Sequence, residues 1–233
     1  MCFVSIITFG VVVIVHLWFK KDAMRQLKLV LLFIPLLIIS DHLAAEQITS
    51  EQKKILVLGD SLSAAYGLRQ EQGWVSLLQN AWQQQPIIVV NAAISGETTD
   101  GGLARLPRLL EQHQPTHLYI ELGGNDGLQG HPVKKMRDNI QSMITFAQQQ
   151  GIEVILQQMQ IPTNYGRRYN QMFTSMFTEL AEQNNVPLIP FFMQDIALDK
   201  SLMQRDGIHP NLEAQPMIAE FMKEKLEGAL KAD

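Results

Sequence analysis

The stretch Ile55-Leu56-Val57-Leu58-Gly59-Asp60-Ser61-Leu62-Ser63 decides how the rest of the chain is read. Four apolar residues without polar alternation are the pattern of a strand covered on both faces, as in parallel sheets. Gly59 ends the run, and Asp60-Ser61 put two polar side chains where a strand gives way to a loop or helix. Outward from there the theme repeats. Short apolar segments at 55–59, 87–91, 118–122, 154–157 and 187–190 read as strands. Longer stretches near 71–84, 98–113, 133–150, 167–184 and 212–230 read as helices. Leu103, Leu106, Leu109 and Leu110 have helical spacing, as do Phe173, Phe177, Leu180 and Ala181. This alternation predicts an α/β fold with a mostly parallel five-stranded sheet and helices on both sides. No internal repeat or linker divides it, so residues 46–233 read as one domain.

Composition narrows the function. The chain has 233 residues, 46% of them hydrophobic, enough for a sizeable core. Beyond residue 45 there are 15 basic and 21 acidic residues, a net of −6, with no basic run. That argues against nucleic acid as a partner. The one cysteine, Cys2, lies outside this domain, and the six histidines are scattered. A disulfide framework is excluded, and neither a metal site nor a cofactor is expected.

Residues 1–45 read as a leader in two parts. Residues 1–19 hold no Asp, Glu, Lys or Arg and are about long enough to span a bilayer. A basic patch follows (Lys20, Lys21, Arg25, Lys28), then an apolar run at 29–39 and the small residues Ala44-Ala45. Read from Met24, residues 24–45 form a signal peptide, and 1–23 lie upstream of the true start. The rival reading keeps residues 1–23 as a membrane anchor. Either way the basic patch stays on the cytoplasmic side and the domain is exported, to the periplasm or beyond.

In open parallel sheets the ligand site lies beyond the carboxyl ends of the strands. Polar, glycine-rich segments fall there: Gly59-Asp60-Ser61-Leu62-Ser63, then Asn91-Ala92-Ala93-Ile94-Ser95-Gly96-Glu97-Thr98, then Gly123-Gly124-Asn125-Asp126-Gly127. A fourth, Asp206-Gly207-Ile208-His209-Pro210-Asn211, precedes the last helix. Together they carry the parts of an acyl-transfer site: a nucleophile, a base, a group to orient the base, and oxyanion donors. Ser61 is the candidate nucleophile, His209 the base and Asp206 its orienting carboxylate. The backbone N–H groups of Ser61 and Gly96 and the side-chain amide of Asn125 are the candidate oxyanion donors.

These four blocks resemble those of the GDSL, or SGNH, hydrolases, and most closely the bacterial periplasmic thioesterase and lysophospholipase branch. The likeness runs from Lys53 to the C-terminus and takes in Ile94-Ser95-Gly96-Glu97-Thr98, Gly102-Leu103-Ala104-Arg105-Leu106-Pro107 and Asn164-Tyr165-Gly166-Arg167-Arg168-Tyr169-Asn170. It implies a three-layer α/β/α sandwich of flavodoxin-like type and the same roles for Ser61, Gly96, Asn125, Asp206 and His209. The implied activity is hydrolysis of esters and thioesters with apolar acyl chains, without metal or cofactor. The implied substrates are small molecules: acyl-CoA, lysophospholipids and aryl or short-chain esters. A monomer with no stable membrane partner is expected for the exported domain.

Taken singly, each motif has a plainer reading. Ser61 could cap a helix, and Asp206 and His209 could be a turn before a helix capped by Asn211. Asp126 reads as structural and Asp60 as an orienting or loop-closing group. His113 and His117 read as surface residues, and Met172, Met176, Met217 and Met222 as core. The loops at 127–133 and 161–170 are expected to line an acyl pocket, with Leu128, Pro162 and Tyr165 on its wall. Two other functions stay open: a carbohydrate deacetylase on the same fold, and a surface binding module with a degenerate site.

Overall fold

The computed structural model describes residues 5–8, 11–14 and 52–231. The chain divides into two units, at residues 1–50 and 51–233. In the first, β1 (Ser5–Thr8) pairs antiparallel with β2 (Val11–Ile14). The signal-like segment at 24–45 lies outside the described residues. Among those described, no helix is long and apolar enough to cross a membrane.

The second unit is built on five parallel strands: β3 (Lys53–Gly59), β4 (Ile87–Asn91), β5 (His117–Glu121), β6 (Glu153–Gln157) and β7 (Leu188–Ile189). Their order across the sheet is β4-β3-β5-β6-β7. The helices are α1 (Trp74–Ala81), α2 (Thr99–His113), α3 (Gly124–Leu128), α4 (Val133–Gln148), α5 (Arg167–Asn184) and α6 (Ala214–Lys231).

Side-chain alternation along the strands shows how the layers form. Tyr119 meets the edge of Trp74 of α1, and its hydroxyl reaches Met222 of α6. Its neighbour Ile120 faces the other way, in register with Leu58, and Leu58 packs near Gly102 of α2 beside Met143 of α4. So α1 and α6 cover one face, while α2, α4 and α5 cover the other. Both faces of β5 are therefore dry, and every one of its residues is buried. This is the expected α/β/α sandwich.

The differences from the expected elements have local causes. The stretch at 71–84 splits into a short 3₁₀ turn (Gln70–Gln72) and α1, because Gly73 is extended and Trp74 N–H is taken by Gln215 Oε1. Strand β7 keeps only two residues between Pro187 and Pro190, since proline has no N–H for the ladder. His117 is not a surface residue: it opens β5, is buried, and its Nδ1 lies 2.7 Å from Thr116 Oγ1. Met176 and Met222 enter the core, but Met172 and Met217 are about half exposed on the outer sides of their helices. Asn211 does cap α6, accepting from Glu213 and Ala214 N–H at 3.0 and 3.3 Å.

Ile120, fully buried in the central strand, tests this layering. Ile120→Ala should lower unfolding free energy by about 2–5 kcal/mol, the usual cost of such a cavity. Urea denaturation would show it as a lower midpoint with unchanged slope.

Candidate active site

The strand order places a crevice between β3 and β5. From β3 the chain moves outward to β4, then crosses back to β5 on the opposite side of β3. Loops leaving the carboxyl ends of β3 and β5 therefore diverge, and the gap between them is the usual ligand position of such sheets. Ser61 follows β3 and Asn125 follows β5, so both border it.

The Ser61 turn is held from several sides. Trp74 Nε1 donates to Leu62 O at 3.1 Å, and Asn91 Nδ2 to Ser63 O at 2.8 Å. Asp60 Oδ1 accepts from Leu62 N–H at 3.0 Å, the loop-closing role expected of it. Ser61 Oγ lies 2.9 Å from His209 Nε2, and His209 Nδ1 lies 2.7 Å from Asp206 Oδ2. The other Asp206 oxygen accepts from the backbone N–H groups of Ile208 and His209 at 2.9 and 3.0 Å. Ser61 thus forms one hydrogen-bonded chain with His209, 148 positions away in sequence, and with Asp206, joined to His209 through a tight turn.

What brings the His209 loop over Ser61 was not legible in the motifs. Gln204 Nε2 donates to Tyr66 O (2.7 Å) and Pro210 O (3.0 Å), and Gln204 N–H donates to His209 O (2.8 Å). One side chain thereby ties the loop after Ser61 to the loop carrying the imidazole. Tyr66 also stacks its ring on His209, with centroids 4.1 Å apart.

Of the oxyanion candidates, Ser61 and Asn125 line one cavity, and Gly96 precedes Glu97, whose carbonyl meets the Asn125 amide. Gly96 is in the left-handed region (φ 80°), which glycine adopts without strain. Among the described residues, neither Gly96 N–H nor Ser61 N–H donates to a protein acceptor. Asn125 Nδ2 donates to Asp60 Oδ2 and to Glu97 O, both at 3.0 Å. Because both partners are acceptors, they fix which end of the amide is nitrogen. Glu97 is held by Arg105, which also donates to Ala92 O at 3.1 Å. Asp126, fully buried, accepts from Thr99 N–H (2.8 Å) and Thr99 Oγ1 (2.7 Å), joining the start of α2 to α3. It is structural, as expected.

A cavity of about 400 Å³ opens beside Ser61 and His209. Beyond the polar end its wall is apolar: Leu128, Met159, Ile161, Pro162, Phe191, Met193, Ala197, Met203 and Ile208 all contribute. Leu128 and Pro162 line it as expected. Tyr165 does not. Its hydroxyl donates to Leu128 O at 2.7 Å, and its ring borders a separate shallow depression with Arg167, Arg168 and Tyr169. Tyr165 braces the wall from behind, and the segment at 191–208 supplies the side that motif reading missed. Among the described residues no cluster of His, Cys, Asp and Glu could hold a metal ion.

Charges around the site are set by burial and hydrogen bonding. Burial works to raise the Asp206 carboxyl, but hydrogen bonds from His209 and Ile208 and the nearby imidazole outweigh it, bringing it to about 2. Asp60 goes the other way: burial pushes it up to about 6 against the lowering pull of Leu62 N–H, Glu121 and His209. Burial, then the nearby Asp60 charge, pushes Glu121 well above the usual carboxylate range.

The lowered Asp206 value has a definite sign. Its contribution to stability is full above the ordinary value of 3.8 and is lost as pH falls through about 2. The stability difference between wild type and Asp206→Asn, measured by urea denaturation, should therefore shrink between pH 5 and pH 3. A difference constant over that range would contradict it.

Known proteins resemble this chain over most of its length. The GDSL-like lipase/acylhydrolase family matches residues 57–215. The Escherichia coli K12 thioesterase 1/protease 1/lysophospholipase L1 is 45% identical over 179 residues, 77% of this chain and 86% of that protein. An arylesterase of Vibrio mimicus is 47% identical over 176 residues, 75% of this chain and 88% of that one. The crystal structure of the psychrotrophic esterase EstA from a Pseudoalteromonas species superposes with a TM-score of 0.76. It is 51% identical, covering 77% of this chain and 99% of its own.

Proposed function

The chain belongs to the GDSL-like lipase/acylhydrolase family and is a serine esterase; we propose that it works through an acyl-enzyme on Ser61 and prefers medium to long apolar acyl chains. The observation that carries this reading is the Ser61–His209–Asp206 chain, at 2.9 and 2.7 Å, opening into an apolar cavity.

His209 Nε2 takes the Ser61 proton as Oγ attacks the acyl carbon, and Asp206 holds the imidazole in the required tautomer and stabilises its cation. The developing oxyanion takes hydrogen bonds from the N–H groups of Ser61 and Gly96. It also takes the Asn125 proton now directed at Glu97 O, while Asp60 keeps the other. His209 then passes its proton to the leaving oxygen or sulfur, and water, deprotonated by the same imidazole, releases the acid. No step calls on a metal or cofactor. The acyl chain lies along Leu128, Met159, Ile161, Pro162 and Met203, where each buried methylene contributes about 0.8 kcal/mol.

The thioesterase and lysophospholipase names of the relatives fit such a pocket, since both substrates present a long acyl group beside a polar leaving group. A carbohydrate deacetylase would need only a small acetyl site, and a cavity of about 400 Å³ exceeds that need. We place the enzyme outside the cytoplasm, on the strength of the basic patch and apolar run at residues 20–39.

Hydrolysis of p-nitrophenyl esters from C2 to C12, and of matching acyl-CoA thioesters, tests the proposal. Turnover should rise with chain length to at least C6 and disappear in Ser61→Ala, which should still fold by circular dichroism. Wild-type turnover by Ser61→Ala would refute the mechanism, and a maximum at C2 would favour the deacetylase.

A further inference from the structure

Beneath the Ser61 turn lies a second, deeper polar layer that the reaction itself does not touch. Glu121 ends β5 opposite Gly59 in the parallel register, and it has no exposed surface. Its Oε2 accepts from Ser63 Oγ at 2.8 Å and from Asp60 N–H at 3.2 Å. Its Oε1 is buried and meets no donor. The carboxyls of Asp60 and Glu121 also interact side chain to side chain. The glycine of Gly59-Asp60-Ser61-Leu62 makes room for this: a Cβ there would come within 2.6 Å of Glu121 Oε2.

Two adjacent buried carboxyls cannot both be charged at acceptable cost. Asp60 is the one compensated as an anion, since Leu62 N–H and Asn125 Nδ2 both donate to it and His209 is nearby. Glu121 has as many donors, but both meet the same oxygen and the other is bare, so the proton belongs to Glu121. A protonated Glu121 gives Asp60 one more donor and removes the cost of a bare buried carboxylate oxygen.

We propose that Glu121 is a positioning residue for the oxyanion hole: as a neutral carboxyl it holds Asp60 in place, and Asp60 in turn holds the Asn125 amide. This rests on the reading of Asn125 as an oxyanion donor. When the Asn125 proton facing Glu97 O turns to the oxyanion, the bond to Asp60 is what keeps the amide oriented. Freedom in Asp60 becomes freedom in Asn125, and transition-state stabilisation falls without a change in acyl-chain binding.

The test is a double-mutant cycle on the full-length protein, with kcat and KM for a p-nitrophenyl ester expressed per site titrated by a fluorophosphonate. Asn125→Ala should lower kcat roughly a hundred- to thousandfold, as loss of one oxyanion donor does. Glu121→Ala should lower kcat at least about tenfold with KM within about twofold, and the double variant should be no slower than Asn125→Ala alone. Glu121→Gln, a neutral isostere with an acceptor and a donor in the same places, should stay within about threefold of wild type. Should Glu121→Ala fail to fold, Glu121→Gln still decides the charge state: loss as large as in Asp60→Ala would overturn a neutral Glu121. Wild-type kcat in Glu121→Ala, or additive losses in the double variant, would overturn the positioning role. Wild-type kcat in Asn125→Ala would instead sink the oxyanion reading, and this inference with it.

Discussion

Strands β3 and β5 lie side by side and parallel, and the chain leaves their carboxyl ends toward opposite faces of the sheet. Everything at the site depends on that constraint. It opens a crevice where loops diverge, and it gives each loop a buried strand end as its base. The Ser61 turn and the Asn125 helix start are neighbours because Gly59 and Glu121 are register partners. A side chain on a free loop would be held far less closely.

Around this crevice the polar groups form two tiers. In the upper tier Ser61, His209 and Asn125 line the cavity, and Asp206 holds His209 from behind. The lower tier, Asp60, Glu121, Ser63, Thr99 and Asp126, is buried, with Asp60 at its upper edge bordering the cavity. Burial is what makes the lower tier consequential. In low dielectric an unpaired polar group costs several kcal/mol, so each partner narrows the positions its neighbour can take. The upper tier inherits that order through Leu62 N–H, the Asn125 amide and the bonds from Thr99 to Asp126.

The cavity is assembled differently. One wall, Leu128, comes from the helix after β5, and another, Met159 to Pro162, from the segment after β6. The rest, Phe191 to Met203, comes from an irregular stretch of short turns after β7. Gln204 then closes this stretch onto the loop after Ser61, so the segment that shapes the pocket also seats the imidazole. The shape of the cavity and the placement of His209 thereby share one segment.

Local chemistry was written plainly along the chain. Apolar runs without alternation mark strands covered on both sides, leucines at helical spacing mark the layers, and four polar blocks after successive strands mark the site. Those features depend on residues close in sequence, and they suffice for the fold class and for naming the candidates Ser61, Gly96, Asn125, Asp206 and His209. Only the tertiary structure decided which residues meet across long separations. His117 is buried because β5 begins one residue earlier than its apolar run. Tyr165 braces the pocket from outside because its hydroxyl finds Leu128 O. Tyr66, Gln204 and Glu121 have no motif at all, since a stacked ring, a bridging amide and a buried carboxyl are defined by partners from other strands and loops. A sequence states what each residue can offer; which offers are accepted depends on distances that exist only once the sheet has closed.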